Sequence, residues 1–108
     1  MNTTHSFPAR QVLQCAEETS ALLKLISHHH RLMILCLLSE SEYNVGELVS
    51  ALGINQTAVS NHLAKLRSAR VVEYTRHHRV LQYRIVSPQI QALIDALSSL
   101  HSPKDAAN

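Results

Sequence analysis

The chain is poor in the residues that build loops and staples. It holds only 2 glycines and 3 prolines among 108 residues, so connections are short and helices are favoured over a strand-rich sandwich. Two cysteines, Cys15 and Cys36, are too few for a disulfide framework, and in a reducing compartment they are expected to rest as thiols. The longest apolar run, residues 32–38, is far shorter than the ~18–20 residues of a membrane span. Residues 1–11 are polar and no apolar stretch of signal-peptide type follows them, so a cytoplasmic protein with no membrane partner is expected. There is no Gly-rich phosphate loop and no G-x-S-x-G, so nothing suggests an enzyme or a bound cofactor. With 45% apolar and 17% charged residues, the composition is that of one globular domain, taken as residues 9–101 between flexible ends at 1–8 and 102–108.

What the chain does have is an uneven charge. Its net +2 divides into −2 over residues 1–54, +5 over 55–86 and −1 over 87–108. The middle block carries Lys65, Arg67, Arg70, Arg76, Arg79 and Arg84 against Glu73. A basic block inside a near-neutral domain fits a polyanion footprint or an ordinary solvated face.

Periodicity gives the order α-α-α-α-β-β-α, mostly helical with one small hairpin. Val12, Cys15, Ala16, Thr19, Leu22, Leu23 and Ile26 make one stripe of a first helix over 9–26. Ser27 is placed to cap a second helix over 28–40, apolar nearly all round and therefore central. Asn44 and Glu47 stand at capping-box spacing before a short third helix that ends at Leu52, with Gly53 as its left-handed terminator. Asn55 caps a fourth helix over 56–69. Two strands, over 71–75 and 80–85, flank a basic tip of Arg76, His77, His78 and Arg79. Ser87 and Pro88 open a last helix reaching His101.

The third and fourth helices have helix-turn-helix spacing: Val45, Leu48, Leu52, Ile54, Val59 and Leu63 pack two short helices around a tight Gly turn. The fourth then presents a polar face suited to a DNA major groove. Gln56 and Asn61 can read adenine, Thr57, Ser60 and His62 can meet base edges or phosphates, and Lys65, Arg67 and Arg84 can meet the backbone. The hairpin tip can follow a phosphate strand or enter a minor groove. The competing readings are a helical hairpin with a merely solvated face, a charged turn that blunts an edge strand, and a winged helix that presents its face to protein.

The eight histidines raise the question of a metal. His28, His29 and His30 are adjacent and should diverge on a helix, and no H-x-x-x-H or C-x-x-C spacing is present, so no metal site is expected. A site combining distant segments or subunits stays open.

Residues 25–35 (LISHHHRLMIL), Val45-Gly46-Glu47-Leu48 and residues 59–67 (VSNHLAKLR) resemble the ArsR/SmtB family of winged-helix repressors. With its flanking helices the resemblance spans nearly the whole chain. It implies a homodimer formed through the first and last helices, repression at an inverted-repeat operator on double-stranded DNA, and release by an inducer. Two positions depart from the family: Arg70 stands where glycine usually precedes the wing, and His77 and His78 fill a tip that often holds glycine, so a different bend is expected there. The Cys-x-Cys of the metal sensors is absent, and the last helix lacks the zinc sensors' Asp/His pattern. The second helix instead resembles the sulfide- and redox-responsive BigR/SqrR/HlyU-like branch, which implies sensing by Cys36. That branch's second cysteine is missing at His101-Ser102-Pro103, and Cys15 is a candidate replacement; the alternative is that both cysteines are packing residues in a metal-responsive or constitutive repressor. A reactive Cys36 needs its pKa depressed, and the cations nearest in sequence lie at residues 28–31.

Overall fold

The computed structural model describes residues 9–101, and the expected flexible ends at 1–8 and 102–108 lie outside them. Six helices and one antiparallel hairpin follow in the order α1 (Arg10–Gln14), α2 (Ala16–Ile26), α3 (His29–Leu38), α4 (Val45–Leu52), α5 (Gln56–Ser68), β1 (Val72–His77), β2 (Val80–Ile85) and α6 (Pro88–Leu100). This is the expected winged helix-turn-helix arrangement, with the first helix broken in two. No single helix among the described residues is long and apolar enough to cross a membrane.

The break falls at Cys15, whose backbone leaves the helical region (φ −111°, ψ 25°). Its amide is shared between the carbonyls of Gln11 and Val12. Of the apolar stripe foreseen for one continuous helix, only the half-buried Leu22 and the buried Ile26 pack against the core. Only Ile26 of α2 is buried and no residue of α1 is, so tertiary packing does not hold the two segments in line.

α2 and α3 are bent 93° from each other. Ser27 does not cap α3. It is still helical (φ −75°, ψ −11°), so its hydroxyl turns back and donates to the Lys24 carbonyl at 2.9 Å. The extended residue is His28, and its Nδ1 accepts from the His30 amide at 3.1 Å. α3 is also less enclosed than its composition suggests. It buries Ile34, Leu35 and Leu38 but leaves Met33 and Cys36 at the surface.

The other caps are those expected. Asn44 and Glu47 form a reciprocal capping box on α4, with both bonds at 2.9 Å. Gly53 ends α4 in the left-handed region at φ 72°. Asn55 accepts from the Ala58 amide at 2.8 Å to open α5. Ser87 accepts from Ile90, with Pro88 beside it, to open α6.

Where α5 ends, Arg70 donates to the Arg67 carbonyl and Val71 to that of Leu66, both at 2.9 Å. These are the two bonds of a Schellman motif, and Leu66 and Val71, the residues joined by the longer bond, are both buried. Its left-handed position is held by Arg70 at φ 61°. At the other end of β1, His78 has φ 60°. The bend expected to differ for want of glycine is therefore made by ordinary residues in the conformation glycine would take, at a cost of about 1 kcal/mol each.

The hairpin pairs Val72 with Ile85 through His77 with Val80. Arg76 and His77 thus belong to the strand, and the loop narrows to His78 and Arg79. An isolated bridge joins Tyr43 to Tyr83, with Tyr43 donating at 3.2 Å and Tyr83 at 2.8 Å. The core collects Ile34, Leu35, Leu48, Val59, Leu63, Leu66, Val71, Val72, Ile90 and Ile94. It seats α5 and the hairpin on α3 and α4.

Candidate nucleic-acid interface

α5 is divided by the side chains it buries. Val59, Leu63 and Leu66 are inside, which leaves Gln56, Thr57, Ser60, Asn61 and Lys65 exposed along the opposite side. The side chains of Gln56, Thr57, Ser60 and Asn61 form no hydrogen bond among the described residues. A row of unspent donors and acceptors on a helix held rigid by its other face is the arrangement that base-edge recognition needs.

The charged residues fall into two groups. Lys65, Arg76, His77, His78 and Arg79 are exposed. Arg67 and Arg84 are engaged. Arg67 Nε donates to Glu73 Oε1 at 3.3 Å, and its guanidinium lies 4.4 Å from the centre of the Tyr74 ring. It is a strut between α5 and β1 that keeps its outer nitrogens free. Arg84 donates to Thr75 Oγ1 at 2.6 Å across the hairpin.

His62 departs from the row. Its ring turns toward α3 and packs 4.5 Å from His28 and 6.0 Å from His30, and its Nδ1 lies 3.4 Å from an Arg31 nitrogen. Arg31 is itself fixed by donating through Nε to the Leu25 carbonyl at 2.6 Å. Burial first, then the nearby His28, Arg31, His30 and Lys65, hold the His62 imidazole below its ordinary pKa. The expectation that the consecutive histidines diverge fails for two of the three. His28 is the cap and not a helical residue, so its ring folds back to His30 and both meet His62. That His62 packs against its own domain is legible in the sequence, since it lies three residues from Val59, beside the buried stripe of α5; its meeting with His28 and His30 is not.

The two cysteines are free thiols at the surface. Cys36 lies with Leu32, Ile94, Leu97, Ser98 and His101 around a cleft of about 420 Å³ between α3 and α6. Its pKa is raised by burial and then by the Glu40 carboxylate. The depression expected from the cations at 28–31 is overruled: burial is the larger cause of the rise, and Glu40, just past the end of α3, adds to it.

A paired α4–α5 unit with an unspent polar helix face and a basic hairpin following it defines a winged helix-turn-helix DNA-binding protein. Residues 30–74 match the model of the bacterial regulatory proteins of the arsR family. The biofilm growth-associated repressor of Xylella fastidiosa is 35% identical over 99 residues, covering 92% of this chain and 87% of that one. The transcriptional activator HlyU of Vibrio cholerae is 39% identical over 93 residues, covering 82% and 86%. The crystal structure of the repressor BigR from Xylella fastidiosa superposes with a TM-score of 0.81 at 34% identity, covering 89% of this chain and 98% of that one. The chain belongs to the ArsR family of DNA-binding transcriptional regulators, a non-catalytic class, and resembles the BigR/HlyU-like branch within it.

Proposed function

We propose that this ArsR-type repressor binds an inverted-repeat operator as a cytoplasmic homodimer and that modification of Cys36 alters its hold on DNA. The observation that carries the DNA reading is the unspent row of Gln56, Thr57, Ser60 and Asn61 beside a basic hairpin. In this reading the row faces the major groove and His78 and Arg79 lead the wing. Arg76, His77, Lys65, the outer nitrogens of Arg67 and the remaining outer nitrogen of Arg84 lie along phosphates. His62 supports the helix from behind.

The dimer reading is supported by apolar side chains left uncovered on the first and last helices: Leu13 is 77% exposed, Leu23 47% and Leu100 66%. Two protomers then present two α5 helices to half-sites about 10 bp apart.

The cleft around Cys36 supports the sensing reading, since it admits a small sulfur donor beside the thiol. A low-molecular-weight persulfide RSSH would pass its outer sulfur to Cys36, giving Cys36–S–SH and RSH. Attack by the Cys15 thiol on that persulfide would give a disulfide and release H₂S. Each step balances without a further oxidant.

Fluorescence anisotropy with DNA from the gene's own upstream region tests both parts. Saturable binding that weakens steeply between low and moderate salt is expected, together with a change in affinity after persulfide treatment that Cys36→Ser abolishes. Binding insensitive to salt overturns the DNA reading. Affinity unchanged by persulfide, with Cys36 unmodified by mass spectrometry, overturns the sensing reading alone.

A further inference from the structure

In the proposed reading the histidine cluster behind α5 serves neither base reading nor thiol chemistry. It comes from three places in the chain. His28 is the extended cap of α3, His30 lies in its first turn, and His62 projects from the inner side of α5. One ring nitrogen from each lies within 4.8 Å of the other two. His28 is exposed and the other two are half-buried, so the cluster sits at the mouth of the α3–α5 junction, where solvent reaches it.

We propose that His28, His30 and His62 form a binding site for a late first-row divalent cation, which ties the start of α3 to the recognition helix.

The chemistry of the set favours that class. Three imidazoles suit zinc, copper or nickel, whereas calcium and magnesium need oxygen ligands, and no carboxylate belongs to the cluster. Ligand nitrogens around a tetrahedral zinc lie about 3.3 Å apart, given bonds of about 2.05 Å. The cluster must therefore draw in by no more than about 1.5 Å on its longest edge, within reach of ring rotation for side chains that are not fully buried. Three protein ligands leave the fourth position to water.

Occupation has two local consequences. A neutral imidazole offers one lone pair. If His28 ligates through Nε2, its Nδ1 carries the proton and can no longer accept from the His30 amide. The same holds for His62 Nδ1 and the Arg31 nitrogen 3.4 Å away. The cation thus competes with a helix cap and with a bond to Arg31, while Arg31 and Lys65 oppose added positive charge nearby. The site is a responsive one rather than a tight structural staple. Because His62 adjoins Asn61, its occupation acts on the position of the DNA-facing row.

The test is calorimetric titration of zinc chloride into the full-length reduced protein near neutral pH, with histidine ring signals followed by NMR. One zinc per chain is expected, with shifts at His28, His30 and His62. His28→Asn keeps a competent cap while removing a ligand, and His30→Gln removes another. Each should weaken zinc binding about tenfold or more without lowering the zinc-free melting temperature. His29→Asn should leave binding unchanged, and so should the Cys15→Ser/Cys36→Ser pair, which separates this site from the thiol reading. The absence of saturable binding, full affinity in both histidine variants, or loss of binding in the cysteine pair would each overturn the proposal.

Discussion

The two halves of the chain treat their apolar residues differently. From α3 to β2, Leu48, Val59, Leu63, Leu66, Val71 and Val72 are all sealed inside, and Ile90 and Ile94 in the first half of α6 close the same core. The first two helices and the end of α6 behave otherwise. α1 buries nothing and α2 only Ile26, while Leu13, Leu23 and Leu100 stay uncovered. A region that finishes its own core can hold a polar row rigidly for recognition. A region that leaves its stripe open depends on a second surface, and its geometry can change with whatever that surface does.

The sharpest way to break this comparison is at the open leucines. Leu23→Glu with Leu100→Glu should leave the α3–β2 half folded and give monomers in sedimentation equilibrium. Operator affinity should then fall about 100-fold or more, as two linked half-site contacts become single ones. A dimer that persists would move the interface elsewhere. Next in size are the exposed side chains of α5. Asn61→Ala should cost about 1–3 kcal/mol against one operator base and little against others. Lys65→Ala should weaken all sequences alike and reduce the salt slope by about 1. Competition binding over single-base operator variants separates the two.

Stability changes at the corners should be smaller. Arg70→Gly should stabilise the fold by up to about 1 kcal/mol, because glycine accepts φ 61° without strain. Denaturant unfolding measures it, and a loss of stability would show that the Arg70 side chain holds something the backbone does not reveal. The smallest effect concerns Cys36. With its pKa raised by burial and Glu40, the thiolate is scarce at neutral pH. Iodoacetamide labelling should speed up as pH rises, with its midpoint above the ordinary thiol value. Glu40→Gln should shift that midpoint down. A midpoint below the ordinary value would show that cations win after all.

The legible parts of the chain were those set by neighbours in sequence. Asn44 with Glu47, Gly53, Asn55 and Ser87 with Pro88 announce helix ends, because capping groups meet backbone a few residues away. The stripe of Val59, Leu63 and Leu66 orients α5 for the same reason. The break at Cys15 was not legible, since the stripe there continues unbroken and only the lack of a packing surface reveals that the helix is not held straight. The His28 cap was hidden behind Ser27, a better cap by type that remains helical by position. The cluster of His28, His30 and His62 depends on the sharp turn between α2 and α3 as well as on the crossing of α3 and α5. No spacing rule within one segment encodes such a crossing.

The bridge from Tyr43 to Tyr83 has a consequence for how fast DNA can be engaged. A free two-stranded ribbon is marginal in water and fluctuates between arrangements. Here the loop before α4 holds β2 by two backbone bonds at Tyr83, so the hairpin is tied to the helix-turn-helix about midway along its length. Most of the disorder that a loose wing would surrender at the moment of encounter has already been surrendered when the chain folds. Collisions therefore meet a preset shape, and only His78, Arg79 and their immediate neighbours are left to adapt.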